Sequence, residues 1–291
     1  MAWTETTRVR YELYFGRYAS DLTDAEWELI ASLLPPPKRT GRPRSTPMRD
    51  VLDAILYIAS TGCPWRMLPN DFPPVSTVRY YFYGWRDDGI FKMISHLLVV
   101  MARELLGRKP HPTAGVVDSQ TIKTTESGGV SGYDAGKRIK GRKRHIITDT
   151  LGFMVGLVVH SAGIQDRDGA PEVFKSIRRS HPDLRHIFAD GGYAGPKLRS
   201  ALNGIGNWTI QIVKRSDAAK GFEVIPKTLS CFANKALPCN GWVVERTFAW
   251  LNRCRRLAKD WEKTIASAEA WIFIAHIRML TRRIAMNCNH T

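Results

Sequence analysis

From Thr23 to Leu106 apolar residues return every three or four positions, and beyond Pro112 the apolar runs shorten to strand length. A first helix is predicted from Thr23, where Thr23 and Glu26 make a capping box ahead of the stripe Trp27, Ile30, Ala31 and Leu34; Pro35-Pro36-Pro37 stops it. A second is expected over 48–60, ended by Gly62 and Pro64. A third begins at Ser76 as N-cap and carries Val78, Tyr81, Phe82 and Trp85, and a fourth covers 90–106. Residues 38–47 are basic and rich in Pro and Gly, which reads as a linker. Lys109-Pro110-His111-Pro112 breaks the helical region, so the chain divides into an arm (1–20), a helical domain (21–108) and a second domain (113–285).

The second domain changes period. Strands are expected over 114–118, 145–150, 153–160, 186–190 and 208–213, with Leu151-Gly152 joining the second and third as a hairpin. Helices are expected over 170–179 and 196–202, around Glu245, and over 266–284, with a loop over 215–240. The fold class is α+β, or α/β, with an all-α leader. The order strand, hairpin, helix, strand, helix, strand, helix matches a ribonuclease-H-like mixed sheet flanked by helices.

Charge narrows the partners. The 291 residues carry 43 Lys and Arg against 27 acidic residues, a net charge of +16, which points to a polyanion. The five cysteines form no C-x-x-C pair, so neither a zinc module nor a disulfide framework is indicated. The N-terminus has no apolar signal core and no uncharged run could span a bilayer. A cytoplasmic protein without membrane contact is expected.

Three acids fit chemistry on such a partner. Asp118 ends the run Ala114–Val117, Asp190 ends His186–Ala189 ahead of Gly191-Gly192, and Glu245 borders the helical stripe Val244, Phe248, Leu251. Two strand-end aspartates and a helical glutamate can bind two hard divalent cations about 3.5–4 Å apart, which clamp the oxygens of a phosphodiester. Asp149, Asp166 and Asp168 compete, because residue chemistry alone does not exclude Asp149, while Asp166 and Asp168 suit a helix cap. On a continuous helix Asn252, Arg256 and Lys259 fall on the side of Glu245, and Arg246 or Arg253 could pair with it.

Basic residues suggest where a nucleic acid lies. The run Lys137, Arg138, Lys140, Arg142, Lys143 and Arg144 is the densest cluster; four phosphate contacts there would give a slope of about −3.6 in log K against log salt. Arg42-Pro43-Arg44 resembles a minor-groove hook, against the plainer reading of a basic linker. The helix from Ser76 presents Arg79, Tyr80, Tyr83 and Arg86 outside its apolar stripe. That suits the second helix of a helix-turn-helix unit, and equally an aromatic packing helix.

Several strings together resemble a known family. They are Val116-Val117-Asp118-Ser119-Gln120-Thr121, the run Gly136–His145, Ala189-Asp190-Gly191-Gly192-Tyr193, and Trp242-Val243-Val244-Glu245-Arg246-Thr247-Phe248-Ala249-Trp250-Leu251. With Asp21–Trp27 and Gly62–Pro69 they resemble bacterial insertion-sequence transposases of the IS-five family, within an IS-four-like superfamily. The resemblance runs from about residue 20 to 280. It implies a DDE transposase in which Asp118, Asp190 and Glu245 are both the catalytic and the metal-binding acids. It also implies two Mg²⁺ ions per site, with Mn²⁺ substituting, and double-stranded DNA, both terminal inverted repeats and target, as partner. A homodimer or higher assembly on DNA, in the bacterial cytoplasm at the nucleoid, follows in the same way. Phosphates would be held by Lys137, Arg138, Lys140, Arg142, Lys143 and Arg144 and, beside Glu245, by Arg246, Arg253, Arg256 and Lys259. The chain departs from its relatives in carrying Asn240-Gly241 where they have a basic pair. A non-catalytic DNA-binding copy and a structure-specific nuclease are the rival readings.

Overall fold

The computed structural model describes residues 17–37, 43–213 and 242–288. Arg42, Asn240-Gly241 and the expected loop over 215–240 lie outside them. The described chain forms two compact units: residues up to Leu98 with Cys254–Leu257 and the chain from Ala270 onward, and Val99–Arg253 with Ala258–Glu269.

In the first unit α1 (Asp24–Ala31) starts on the expected capping box: Glu26 N donates to Thr23 Oγ1 and Thr23 N to the Glu26 carboxylate at 3.0 Å. Helix α2 (Met48–Thr61) ends where Gly62 turns left-handed at φ +72°. Helix α3 (Val75–Asp87) begins two residues earlier than expected, because Pro74 takes the N-cap place and Ser76 falls inside the first turn. Helix α4 (Ile90–Leu105) matches its expected span to one residue. Ile55, Ile58, Val78, Phe82 and Trp271 are almost completely buried, and the Phe82 ring stacks on Trp271 at 4.6 Å.

The second unit is built on β1 (Ala114–Lys123), β2 (Gly132–Asp134), β3 (Ile139–Asp149), β4 (Met154–Ser161), β5 (His186–Ala189) and β6 (Thr209–Ile212). Strands β2 and β4 follow one another along the outer edge of β3; then come β1, β5 and β6. Strand β3 is antiparallel to β1 and β4, whereas β1, β5 and β6 are parallel. Gly152 makes the β3–β4 turn at φ +88°, as the Leu151-Gly152 signal indicated. Helices α5 (Asp166–Ile177) and α6 (Pro196–Asn203) share a core of Val117, Ile147, Phe174, Ile187 and Leu198. Helix α7 (Trp242–Leu251) packs on β1 and β3. The last helix, α8 (Ile265–Cys288), passes from this unit into the first.

Three elements differ from expectation. Strand β1 continues past Asp118 to Lys123 because Ser119–Lys123 pairs with Gly141–His145, so Asp118 is mid-strand rather than at a strand end. Strand β3 therefore absorbs Lys140, Arg142, Lys143 and Arg144 of the basic run. Helix α7 stops at Leu251, and Arg255–Leu257 is a separate 3₁₀ turn, so Arg256 and Lys259 do not continue the Glu245 helix. No helix among the described residues is long and apolar enough to cross a membrane.

Candidate functional site

Strand register brings the two aspartates together. Val116 of β1 lies level with Phe188 of β5 in parallel pairing, so two residues further on Asp118 lies level with Asp190, just beyond the end of β5. Period-2 alternation puts both on the face opposite Val117. Ser119 N donates to Asp118 Oδ1 at 2.7 Å, and Gly192 N donates to Asp190 Oδ1 at 2.8 Å, making Asp190 the cap of a 3₁₀ turn over Gly191–Tyr193. Burial above all pushes Asp118 up to about 6; the charges of Asp190 and Asp166 add to the rise, against the Ser119 amide and Lys137.

Asp166, expected to be a cap, opens α5 on the Ser119 side of β1, close enough for its charge to act on Asp118. Its Oδ1 accepts Ser119 Oγ at 2.6 Å and Lys143 Nζ at 2.8 Å. Burial raises its pKa, but these bonds and the lysine charges outweigh burial and hold it below the usual carboxylate range. Lys143 also lies 3.6 Å from buried Asp134, which accepts Thr121 Oγ1. Beneath the pair, buried Tyr193 is hydrogen-bonded through its hydroxyl to His145 Nε2 at 2.8 Å, and His145 stands 3.4 Å from His160. Burial lowers His145 to about 3, so it is neutral near pH 7. Sequence reading missed this support: Ser119, Thr121 and His145 lie on one face of β1 and β3 at period 2, a signal visible only once β1 is extended.

The competing Asp149 is structural. It is fully buried, paired with Arg103, and accepts the amides of Leu151 and Phe153 at the hairpin turn. Asp168 pairs with Lys197 at 2.7 Å. Glu245 is exposed on α7, whose neighbour Thr247 donates to Gly152 O. Arg144 reaches Asn252 just beyond α7, so this helix covers the sheet face that carries Asp118. No described interaction joins Glu245 to either aspartate, and among the described residues no three His, Cys, Asp or Glu side chains converge to hold a metal. Asp118 and Asp190 nevertheless form a hard-oxygen donor set whose mutual repulsion a divalent cation would relieve.

The basic candidates separate into two kinds. Lys137, Arg138, Lys140, Arg253 and Lys259 are exposed, as are Arg44 and Arg79. Arg142 is completely buried, bonded to Val130 O, Asp260 and the carbonyls of Glu262 and Lys263. Lys143 and Arg144 are also buried. These three were expected to meet phosphates; burial and internal partners occupy them instead, because β3 lies inside the sheet. Arg86 bonds Asp87 and stacks on Tyr83 at 4.7 Å, Arg79 lies 5.6 Å from the same ring, Arg246 donates to Leu151 O, and Arg256 donates to Cys63 O.

Comparison with known proteins gives this arrangement a family. Over residues 22–95 the chain matches a family model described as "Putative transposase of IS4/5 family". It is 29% identical over 130 residues to a "Putative transposase for insertion sequence element IS402" from Burkholderia cepacia, covering 42% of this chain and 54% of that protein. It is 31% identical over 113 residues to an "Insertion element IS402 uncharacterized 16.2 kDa protein" of the same organism, covering 37% of this chain and 76% of that one. An uncharacterized protein, y4sN, of Sinorhizobium fredii is 34% identical over 83 residues, covering 28% of this chain and 64% of its own length. The chain thus spans between half and two thirds of the first two of these relatives, y4sN and the IS402 transposase. No solved structure matches. Residues 109–280, more than half of the chain and the whole aspartate site, match the model of the transposase DDE domain, and the chain belongs to that family.

Proposed function

We propose that this protein is a DNA transposase that binds the terminal inverted repeats of its insertion sequence, cuts the ends and joins the 3′-hydroxyls to target DNA. The observation that carries the reading is the parallel pairing of Val116 with Phe188, which brings Asp118 of β1 and Asp190, just past β5, to one end of the sheet within a DDE-family domain. The strand order, an antiparallel β4-β3-β1 meander continued by parallel β5 and β6, supports a ribonuclease-H-like sheet. Asp118 and Asp190 would hold two Mg²⁺ ions, or Mn²⁺, with Glu245 of α7 as the third acid. Bound there, the ions supply an activated nucleophile and charge stabilisation of the leaving oxygen.

The protein's own groups do the remaining work. Each aspartate uses one carboxylate oxygen to accept a backbone amide, which fixes its rotamer. Lys143 neutralises Asp166, so negative charge concentrates on Asp118 and Asp190. Exposed Lys137, Arg138, Lys140, Arg253 and Lys259 hold phosphates, with Arg246 and Arg256 beside them. In the helical domain 21–108, Arg44, Arg79, Tyr83 and Arg86 contact the repeats in a helix-turn-helix manner, and Arg42 joins Arg44 in the groove. Two ends must be joined, so the active form is at least a dimer, acting at the nucleoid in the cytoplasm. The test is incubation of labelled element ends with Mg²⁺ or Mn²⁺. Cleavage and joined products are expected from the wild type, with a loss of about a hundred- to a thousandfold in Asp118→Ala and Asp190→Ala, the scale of a lost charge-stabilising group. Cleavage that survives both substitutions would refute the metal mechanism, and unchanged activity in Glu245→Ala would remove the third acid.

A further inference from the structure

The loop after β1 builds a second basic feature away from the aspartates. Lys123, Lys140 and Lys259 border an open cleft of about 850 Å³ whose remaining lining is small hydroxyl residues, Gly128, Gly129 and a single acid, Glu126. All three lysines are exposed, and among the described residues no carboxylate pairs with Lys123 or Lys140. Lys259 lies 5.9 Å from the Trp261 ring, which leaves its charge intact. Three cations facing one carboxylate leave a net positive hollow.

The hollow is preformed. Buried Arg142 holds its wall from behind, donating to Val130 O at 2.6 Å, Glu262 O at 2.8 Å and Lys263 O at 3.0 Å while pairing with Asp260 at 3.1 Å. Thr125 N donates to Asp260 O, and Asp260 N to Lys123 O at 2.9 Å, so the segment 260–263 is sewn to the loop. Gly129, at φ +92°, sits where a Cβ would lie 2.0 Å from Lys263 O, so only glycine lets the loop close this tightly. A rigid rim of lysines over backbone and hydroxyl donors is what a phosphate chain requires.

We propose that this cleft seats the sugar-phosphate backbone of duplex DNA at a distance from the reacting bond. Lys123 lies five residues beyond Asp118 along β1, about 17 Å at the rise of an extended strand. That separation corresponds to about five base pairs along one strand. The proposal rests on the DNA-acting reading of the aspartate site; it adds Lys123 to Lys140 and Lys259 and gathers the three into one cleft that fixes where the duplex runs.

The test is fluorescence anisotropy with a labelled duplex of random sequence in EDTA, across a range of salt, so that no metal chemistry enters. Lys123→Gln/Lys140→Gln is expected to reduce the slope of log K against log salt by about 1.8. The salt sensitivity between 50 and 200 mM then falls by roughly twelvefold. Lys175→Gln is the control, since Lys175 is exposed on α5 and paired with Glu172 at 2.7 Å; its slope should match the wild type. If the double variant is misfolded by circular dichroism, Lys123→Gln alone decides, with an expected reduction of about 0.9. An unchanged slope in a folded variant, or an equal loss in the control, overturns the cleft while leaving DNA binding in place. A wild-type protein that does not bind duplex overturns both the cleft and the reading beneath it.

Discussion

Replacing Arg142 by methionine separates two roles for the basic run, stability and phosphate contact. The guanidinium is completely buried, and its Asp260 partner is 3% exposed. Removing the cation leaves a buried carboxylate with Glu262 N as its remaining hydrogen-bond donor, and it also strips donors from the carbonyls of Val130, Glu262 and Lys263. Breaking one side of a buried pair costs about 3–5 kcal/mol. The stripped carbonyls add to this, so a total of about 4 kcal/mol or more is expected. That is a large share of the ordinary stability of a domain, roughly 5–15 kcal/mol. Urea unfolding followed by tryptophan fluorescence measures the loss. The double variant Arg142→Met/Asp260→Leu should recover about 2 kcal/mol or more, because the stranded charge is then gone. A loss below about 1 kcal/mol, together with a drop of about 0.9 in the salt slope of DNA binding, would refute the structural role and return Arg142 to the phosphate-contacting set.

Other outcomes follow from burial and backbone geometry. Burial, chiefly, raises Asp53 to about 7 against the pull of the Leu22 amide. The folded state therefore binds this proton more tightly than the unfolded chain, and stability falls as pH rises from about 4 to 7. Asp53→Asn should remove that slope and be more stable than the wild type at pH 8 by on the order of 3 kcal/mol in thermal melts; a variant no more stable at pH 8 contradicts it. His276, fully buried against Ser95 Oγ at 2.8 Å, is lowered by burial to about 3. Its contribution is present above about 6.5 and lost as pH falls toward 3, about 2 kcal/mol by pH 5, a loss that His276→Gln should not show. Gly62→Ala forces a left-handed alanine whose Cβ meets the Arg255 backbone at 3.2 Å, and about 1–2 kcal/mol should be lost in chemical denaturation. Tyr193→Phe removes the bond to His145 and should cost about 1 kcal/mol. It should also lower cleavage more than binding if that bond steadies the Asp190 turn.

Local signals were legible where the cause of structure is local. The Thr23–Glu26 box, the Gly62 stop and the Leu151-Gly152 turn each depend on residues within a few positions, and each stands where the pattern put it. The buried half of the basic run, Arg142, Lys143 and Arg144, was misread because its partners are remote. Nothing near Arg142 announces Asp260, 118 residues away, and a row of charges without visible partners reads as a surface for phosphates. The same error shortened β1. Ser119–Lys123 looks too polar for a strand until Lys143 and Arg144 are placed opposite it, where Asp166, Asp134 and Asn252 satisfy them. The family resemblance selected Asp118 and Asp190, which the strand register brings to the same end of β1 and β5, whereas geometry alone sets Asp149 apart by showing it paired with Arg103.

Extending β1 changes what Asp118 is for. A strand-end aspartate can be an ordinary cap, its carboxylate turned to the nearest amides. Mid-strand, Asp118 has its backbone committed to β3, paired opposite Ile146, and its side chain must project from the sheet face. Strand β5 is much shorter than β1 and stops at Ala189, so Asp190 emerges level with Asp118 as the pairing ends. Both carboxylates are then fixed by one oxygen each, through the amides of Ser119 and Gly192, and no described hydrogen bond engages the other oxygen of either. Gly192 allows this closeness: a Cβ there would stand 3.1 Å from Asp190 Oδ1 and 3.7 Å from Asp166 Oδ2. The cost of this arrangement falls on half-buried Asp118, since Asp190 is exposed to solvent. Asp166 shows the contrast, since Lys143 and Ser119 satisfy it from within. The difference between Asp166 and its two neighbours is therefore one of partners: it separates a carboxylate bonded by two side chains from two that each accept a single backbone amide.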